Sequence, residues 1–120
     1  MRSLLLLGCL AIGLAACDDT GASLQITGTR AHRAVDKRVV VEVDLLASES
    51  LGGNIGTYCT RVTFAGQAAP AGQCSADLED GDTKTVRLVS ESDRIFDGAP
   101  ITVRVRHGNV DVGSTLAAPR

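Results

Sequence analysis

Residues Lys37 to Leu46 read KRVVVEVDLL, and apolar side chains recur at every second position of this stretch. One face carries four of them, Val39, Val41, Val43 and Leu45. Glu42 and Asp44 fall on the opposite face. A period of two is the spacing of a β-strand, whose successive side chains point to opposite sides of a sheet. We therefore predict a strand with one face in a core and the other in water.

The same period recurs along the chain. Ile101 to His107 is the second clear case, with Ile101, Val103 and Val105 on the inward face. Weaker alternation predicts strands at Ser23 to Thr29, Tyr58 to Phe64, Gln73 to Ala76, Thr83 to Ser90 and Asn109 to Leu116. Turn residues separate these runs, and Gly108-Asn109 suits a two-residue hairpin.

These elements predict an all-β domain of six to seven short antiparallel strands over residues 24–118. Because a sheet with one apolar face must bury it against another layer, we expect a small β-sandwich of two sheets. The architecture resembles bacterial immunoglobulin-like and fibronectin-type domains. Immunoglobulin domains have a core tryptophan and this chain has no tryptophan, so the resemblance is one of architecture.

The amino-terminal segment, residues 1–16, has the composition of an export signal. Arg2 precedes an apolar core from Leu4 to Leu14, which at about eleven residues is shorter than the roughly 20 that a membrane-spanning helix needs. The next residues complete the sequence Leu14-Ala15-Ala16-Cys17, which resembles the lipobox of bacterial lipoproteins. The resemblance implies cleavage before Cys17, a diacylglycerol thioether on its sulfur, and acylation of the new amino terminus, with palmitate among the fatty acids.

Residues 17–23 would then form the lipidated cysteine and a short tether. Asp18 and Asp19 follow the cysteine directly. An aspartate in this position resembles the inner-membrane retention signal of enterobacterial lipoproteins, and a polar solvated tether is the alternative. We expect a protein anchored to the cell membrane on its periplasmic side, with the choice between inner and outer membrane left open.

This interpretation accounts for all four cysteines. Cys9 leaves with the signal and Cys17 is acylated, so Cys59 and Cys74 remain in the mature chain. An even number of cysteines in an exported protein predicts a disulfide. Because the two residues are close in sequence, the bond would act as a local clasp.

Composition excludes some partners. Once Arg2 is removed, 11 basic and 14 acidic side chains remain, without the basic surplus that nucleic-acid binding requires. Three aromatic residues leave little with which to stack bases or sugars. We expect no nucleic-acid partner and no cofactor.

A carboxylate-rich turn is the one candidate metal site. Four acidic residues surround Gly81, namely Asp77, Glu79, Asp80 and Asp82. Hard oxygen ligands in a tight loop suit calcium. The stretch lacks the glutamate of an EF-hand loop, because Arg87 stands six residues after the glycine. A solvated acidic turn is the competing interpretation, and we assign no metal.

Residues for catalysis are sparse. His32 and His107 are the only histidines, too few for a typical zinc site when the cysteines are already used. We expect both at solvated or edge positions. No serine lies in a strained nucleophile turn of the G-x-S-x-G type. We therefore predict that the protein is not an enzyme.

Charged residues alternate with the apolar ones on the predicted strands. The outward arginines are Arg61, Arg87, Arg104 and Arg106. Together with Glu42 and Asp44 they fit a solvated sheet face, since opposite charges on neighbouring strands stabilise pairing by up to about 1 kcal/mol. An arginine-lined surface for an anionic polymer or partner is the alternative.

We expect a lipid-anchored envelope protein whose sandwich is structural or binds another envelope protein. The expected contact regions are the loops Ser48 to Thr57 and Phe64 to Cys74, because rigid strands present loops for binding. The alternative is an envelope inhibitor, or a lipoprotein that binds calcium or another small ligand. In size and disulfide use the chain is similar to lysozyme-inhibitor lipoproteins, although their serine-glycine-tyrosine pattern is absent.

Overall fold

The computed structural model describes residues 22–67 and 69–120, and every regular element in these ranges is a β-strand. The strands are β1 (Ala22–Arg33), β2 (Val39–Glu49), β3 (Tyr58–Phe64), β4 (Ala71–Ser75), β5 (Thr83–Val89), β6 (Pro100–His107) and β7 (Val110–Ala117). The predicted all-β class and strand number are confirmed. The signal segment, the lipobox and residues 17–21 of the tether lie outside the described residues. No helix in the described ranges is long and apolar enough to cross a membrane.

The strands form two antiparallel sheets, in agreement with the predicted sandwich. One sheet has the order β1-β2-β5 and the other the order β4-β3-β6-β7. In constant-type immunoglobulin domains the fourth strand pairs with the fifth. Here β4 pairs with β3 instead, so the second sheet has four strands and a broader outer face.

The core lies between the sheets. Val39, Val41, Val43 and Leu45 of β2 are fully buried, as the period of two predicted. From the opposite sheet β6 contributes Ile101, Val103 and Val105. Tyr58, Val62 and Phe64 of β3 complete the contact. Both clear strand predictions are thus confirmed in position and in facing.

Strand β1 is longer than predicted. It begins at Ala22 and continues to Arg33, although alternation was recognised only from Ser23 to Thr29. A β-bulge between Ile26 and Gly28 shifts the register against β2. An extra residue in one strand moves the following side chains to the other face, so the apolar period breaks within this strand.

The two regions expected to contact a partner begin at opposite ends of the sandwich, and the second, Phe64 to Cys74, runs back along β3 as strand β4. Ala22 pairs with Glu49, and the loop after Glu49 shares a depression with Ala22 and His107. The turn after Phe64 lies at the other end of β3, where Phe64 pairs with Ile101. The seven residues of β3 separate the turn after Phe64 from the loop after Glu49, whereas Cys74 lies opposite Cys59 at the end nearer that loop.

The predicted disulfide is confirmed. Cys59 on β3 and Cys74 on β4 are directly opposite each other, with Cα atoms 4.0 Å apart. The bond closes the turn between two neighbouring strands. No residue of β4 is buried, so this short edge strand has little apolar packing and depends on the covalent link and its backbone hydrogen bonds.

We predict that the double variant Cys59→Ala, Cys74→Ala is destabilised. Opening a loop with a sequence separation of 15 residues costs about 3 kcal/mol, which lowers the melting temperature of a domain of this size by on the order of 15 °C. Thermal unfolding followed by circular dichroism measures the change. A reducing agent should lower the melting temperature of the natural protein and leave that of the double variant unchanged. Equal melting temperatures for the two proteins would contradict the prediction.

Candidate functional site: the outer face of the four-stranded sheet

Three arginines gather on the outer face of the four-stranded sheet. We name this surface the arginine face and define it by Arg61, Arg104, Arg106 and Asp111. Arg61 projects from β3, Arg104 and Arg106 from β6, and Asp111 from β7. With Cys59 these side chains line one open depression. The alternation of apolar and polar residues in each strand predicted that these side chains point outward. The strand order then brings them together on one face.

Like charges lie opposite each other in this face. Arg61 pairs directly with Arg104 across β3 and β6, an arrangement that destabilises a sheet. The same row ends in Gly72 on β4 and Gly113 on β7. Because both outer positions are glycines, no other side chain flanks the two arginines within this row.

Asp111 is the acidic member of the face. Its carboxylate accepts two hydrogen bonds from Arg104, at 3.1 Å from Nε and 2.9 Å from Nη2. This contact lowers the pKa of Asp111 and raises that of Arg104. The Arg106 guanidinium lies 3.9 Å from the same carboxylate, so two cations share one anion.

Gly113 makes room for the contact between Arg104 and Asp111. A Cβ atom at this position would lie 3.2 Å from Cδ of Arg104 and 3.3 Å from the Val103 carbonyl. Both distances are tighter than normal packing, so the arginine stem crosses β7 over the bare backbone. The glycine therefore determines where the guanidinium lies.

Arg61 is the uncompensated charge. Its side chain is exposed, and it has no ion pair or side-chain hydrogen bond within residues 22–67 and 69–120. A free guanidinium presents five N–H donors in a planar fork that matches carboxylate and phosphate oxygens. The face therefore has a net positive charge and unused donors.

The outer face of the other sheet is different. Arg30 on β1 bridges Glu42 and Asp44 of β2, at 2.9 Å and 2.7 Å. Thr85 on β5 donates to the other oxygen of Asp44, and Arg87 lies opposite Glu42 in the register. The expected pairing of opposite charges on neighbouring strands thus holds around Arg30 in this sheet, and in the arginine face it holds for Arg104 and Asp111 but not for Arg61.

The four carboxylates of the acidic turn do not converge. Asp80 accepts from the Glu49 amide and Asp82 from the Glu79 amide, both at 3.0 Å. Asp77 is bonded to other side chains, and Glu79 is exposed. In the described part of the chain no three metal-ligating side chains are grouped as a cation requires. Asp77, Asp80 and Asp82 thus each bond to a different part of the chain.

Asp77 connects the two sheets through a polar contact that the sequence did not indicate. The buried Tyr58 of β3 donates its hydroxyl proton to Asp77 at 2.7 Å, and Lys84 of β5 donates to the second oxygen at 2.6 Å. The hydrogen bonds from Lys84 and then Tyr58 hold the pKa of Asp77 below its ordinary value of 3.8. Burial, followed by the bond to Asp77, raises the pKa of Tyr58.

We predict that Asp77→Asn destabilises the protein at pH 7 and not in strong acid. Since the folded state lowers the pKa of Asp77, its stabilising effect is complete above the ordinary value and is lost as the pH falls through the folded value. Urea midpoints of both proteins between pH 7 and pH 2 should therefore converge on acidification. Asp93→Asn is the matched control, because Asp93 is exposed and has no ion pair in the described ranges. A difference independent of pH would contradict the prediction.

The two histidines have different environments. His32 is exposed on β1, an edge strand, as expected. The expectation is wrong for His107, which is buried on the inner strand β6, with Nε2 hydrogen-bonded to the Ile55 carbonyl. His107 continues the inward series of Val103 and Val105, so the period of two was the signal for its burial.

Arg33 was also missed by the sequence analysis. Its guanidinium contacts the carbonyls of Ile95, Lys37 and Pro119, and it forms an ion pair with Asp97 at 2.8 Å. These bonds join the β1–β2 turn, the β5–β6 loop and the carboxyl-terminal segment. Arg33 organises the end of the sandwich that lies away from Ala22.

The comparisons with known proteins do not show which family this chain belongs to. No protein-family model and no curated protein sequence matches the chain. DesR, a β-glucosidase from Streptomyces venezuelae solved in complex with D-glucose, matches 81% of this chain with 15% identity and a TM-score of 0.48. The GH3 β-glucosidase of Bifidobacterium adolescentis matches 81% with 14% identity and a TM-score of 0.42. The chain covers 15% and 17% of those two proteins, and likenesses this weak carry no functional argument.

Proposed function

We propose that this protein is a lipid-anchored, non-enzymatic binding module of the cell envelope, and that its β-sandwich contacts another envelope protein through the arginine face. The observation that carries the proposal is the direct opposition of Arg61 and Arg104. This like-charge pair costs stability when the face is empty. An anionic partner would remove that cost and use the free donors.

The anchor is supported by the lipobox and by the position of β1. Strand β1 begins at Ala22, five residues after Cys17. Five extended residues span at most about 18 Å, so the Ala22 end of the sandwich would lie close to the lipid. The outer faces of both sheets run along the strands and would stay open to the periplasm.

The disulfide supports an extracytoplasmic location. Disulfides persist in oxidising compartments such as the periplasm and are rare in the cytosol. Cys59 and Cys74 are bonded to each other, which leaves Cys17 free of a partner in the mature chain and available for lipid.

We predict that the protein incorporates radiolabelled palmitate in its native host and that Cys17→Ala abolishes the labelling. Thioether and amide acylation both require this cysteine, so the variant should also leave the membrane fraction. Cys9→Ala is the matched control, because Cys9 would be removed with the signal peptide. Labelling that survives in Cys17→Ala, or is lost in Cys9→Ala, would overturn the assignment of the anchor.

We predict that a photo-crosslinking amino acid at Thr63 captures a protein in living cells, and that the same amino acid at Thr83 does not. Thr63 is exposed on the outer face of β3, in the row next to Arg61 and Arg104. Thr83 is also exposed, on the outer face of the other sheet. The yield of the crosslinked product at Thr63 should fall when Arg61→Gln is added. Equal products from both positions would contradict binding through the arginine face.

A further inference from the structure

We propose that the partner segment bound by the arginine face is acidic and extended, with carboxylates at alternate positions. This inference rests on the proposed binding function and names the chemistry of the ligand. It follows from the arrangement of three guanidinium groups on two neighbouring strands, with one carboxylate beside them.

The spacing of the arginines matches the repeat of an extended chain. Arg104 and Arg106 are two residues apart on β6, which corresponds to about 6.7 Å along a strand. In an extended segment running along β6, side chains at i and i+2 are separated by the same distance. Two carboxylates on one face of the segment would therefore lie over Arg104 and Arg106 together.

Arg61 extends the row of guanidinium groups across the sheet, from β6 to β3. It lies one strand away from Arg104, at the interstrand spacing of about 4.8 Å. A ligand carboxylate above this row can accept from the Arg61 guanidinium, and also from Arg104 once that side chain has left Asp111. Charge-assisted hydrogen bonds from two arginines to one carboxylate are stronger than those between neutral groups, so this position would contribute most to binding.

A row of hydroxyl groups borders the arginines. Thr63, Thr102 and Thr115 are register neighbours across β3, β6 and β7. Their hydroxyls can donate to or accept from the polar groups of a bound segment. The face thus combines positive charge with neutral hydrogen-bonding groups over three strands.

Asp111 is an internal competitor for this ligand. Its carboxylate occupies the donors Nε and Nη2 of Arg104 in the unbound protein. A ligand carboxylate must displace it or share the guanidinium with it. Neutralising Asp111 should therefore strengthen binding, whereas neutralising Arg61 should weaken it.

The surroundings favour a protein segment over a glycan or a lipid surface. Sugar sites commonly use aromatic platforms, yet Tyr58 and Phe64 are buried in the core and Phe96 lies in the β5–β6 loop. A lipid surface would approach from the Ala22 end if the anchor is at Cys17. The arginine face lies on the side of the sandwich, parallel to the strands, and would therefore not point at the lipid surface.

The test uses the purified full-length protein and a fluorescent peptide, Glu-Thr-Glu-Thr-Glu-Thr-Glu. Binding is measured by fluorescence anisotropy at two ionic strengths, and a peptide with glutamine in place of glutamate is the control. We expect the glutamate peptide to bind more tightly and to lose affinity at high salt. Inorganic polyphosphate and vesicles containing anionic phospholipid are the two competing probes.

Three single variants distinguish the arginine face from general electrostatic attraction. Arg61→Gln should weaken binding about two- to fivefold, which corresponds to an exposed ion pair. Asp111→Asn should strengthen it. Arg87→Gln is the matched control, because it removes the same charge from an exposed position on the other sheet, and it should leave affinity nearly unchanged. Circular dichroism verifies that each variant is folded.

Three outcomes would overturn the inference. Equal losses in Arg61→Gln and Arg87→Gln would show that binding depends on net charge alone. Weaker binding by Asp111→Asn would contradict the competitor role. Tighter binding of polyphosphate or vesicles than of the peptide would assign the face to phosphate ligands. None of these outcomes affects palmitate labelling at Cys17, so the inference can fail while the proposed anchor stands.

Discussion

The burial of one face of β2 against the opposite sheet is the constraint on which the rest of the structure depends. The inward residues Val39, Val41, Val43 and Leu45 have no exposed surface, and β2 is the central strand of its sheet. A shift of β2 by one residue would bring Glu42 and Asp44 into the core, at a high cost in desolvation. The core therefore fixes the register of β1 and β5, and with it the charges that face water.

Strands were predictable from the sequence where the period of two is unbroken, as in β2 and β6. In β1 the inward residues are Leu24 and Ile26 before the bulge, and Thr29 and Ala31 after it. An odd spacing of three residues separates the two sets, so no single period describes the strand. The role of Arg33 was hidden for a different reason, because two of its acceptors, the carbonyls of Ile95 and Pro119, lie 62 and 86 residues away along the chain.

In the arginine face, alternation along each strand determines which side chains point outward, but it does not determine which of them lie next to each other. The outward facing of Arg61 and Arg104 follows from the pattern of each strand. Their opposition requires that β3 pairs with β6, and no local signal specifies a pairing between strands so far apart in sequence. Charge pairing was therefore predicted for all outward arginines, although it occurs fully only around Arg30, where acidic residues alternate on the neighbouring β2.

The disulfide has a structural consequence for the arginine face as well as for stability. Strand β4 forms the edge beside Arg61 and contributes Gly72 to the row of opposed arginines. Only Ala71 of β4 packs, partly buried, against the core, so apolar packing does little to hold this edge in place. The bond from Cys59 to Cys74 fixes it one row away from Arg61. A small domain with a core of aliphatic residues and few aromatics thus uses one covalent link to keep the edge of its candidate binding surface in register.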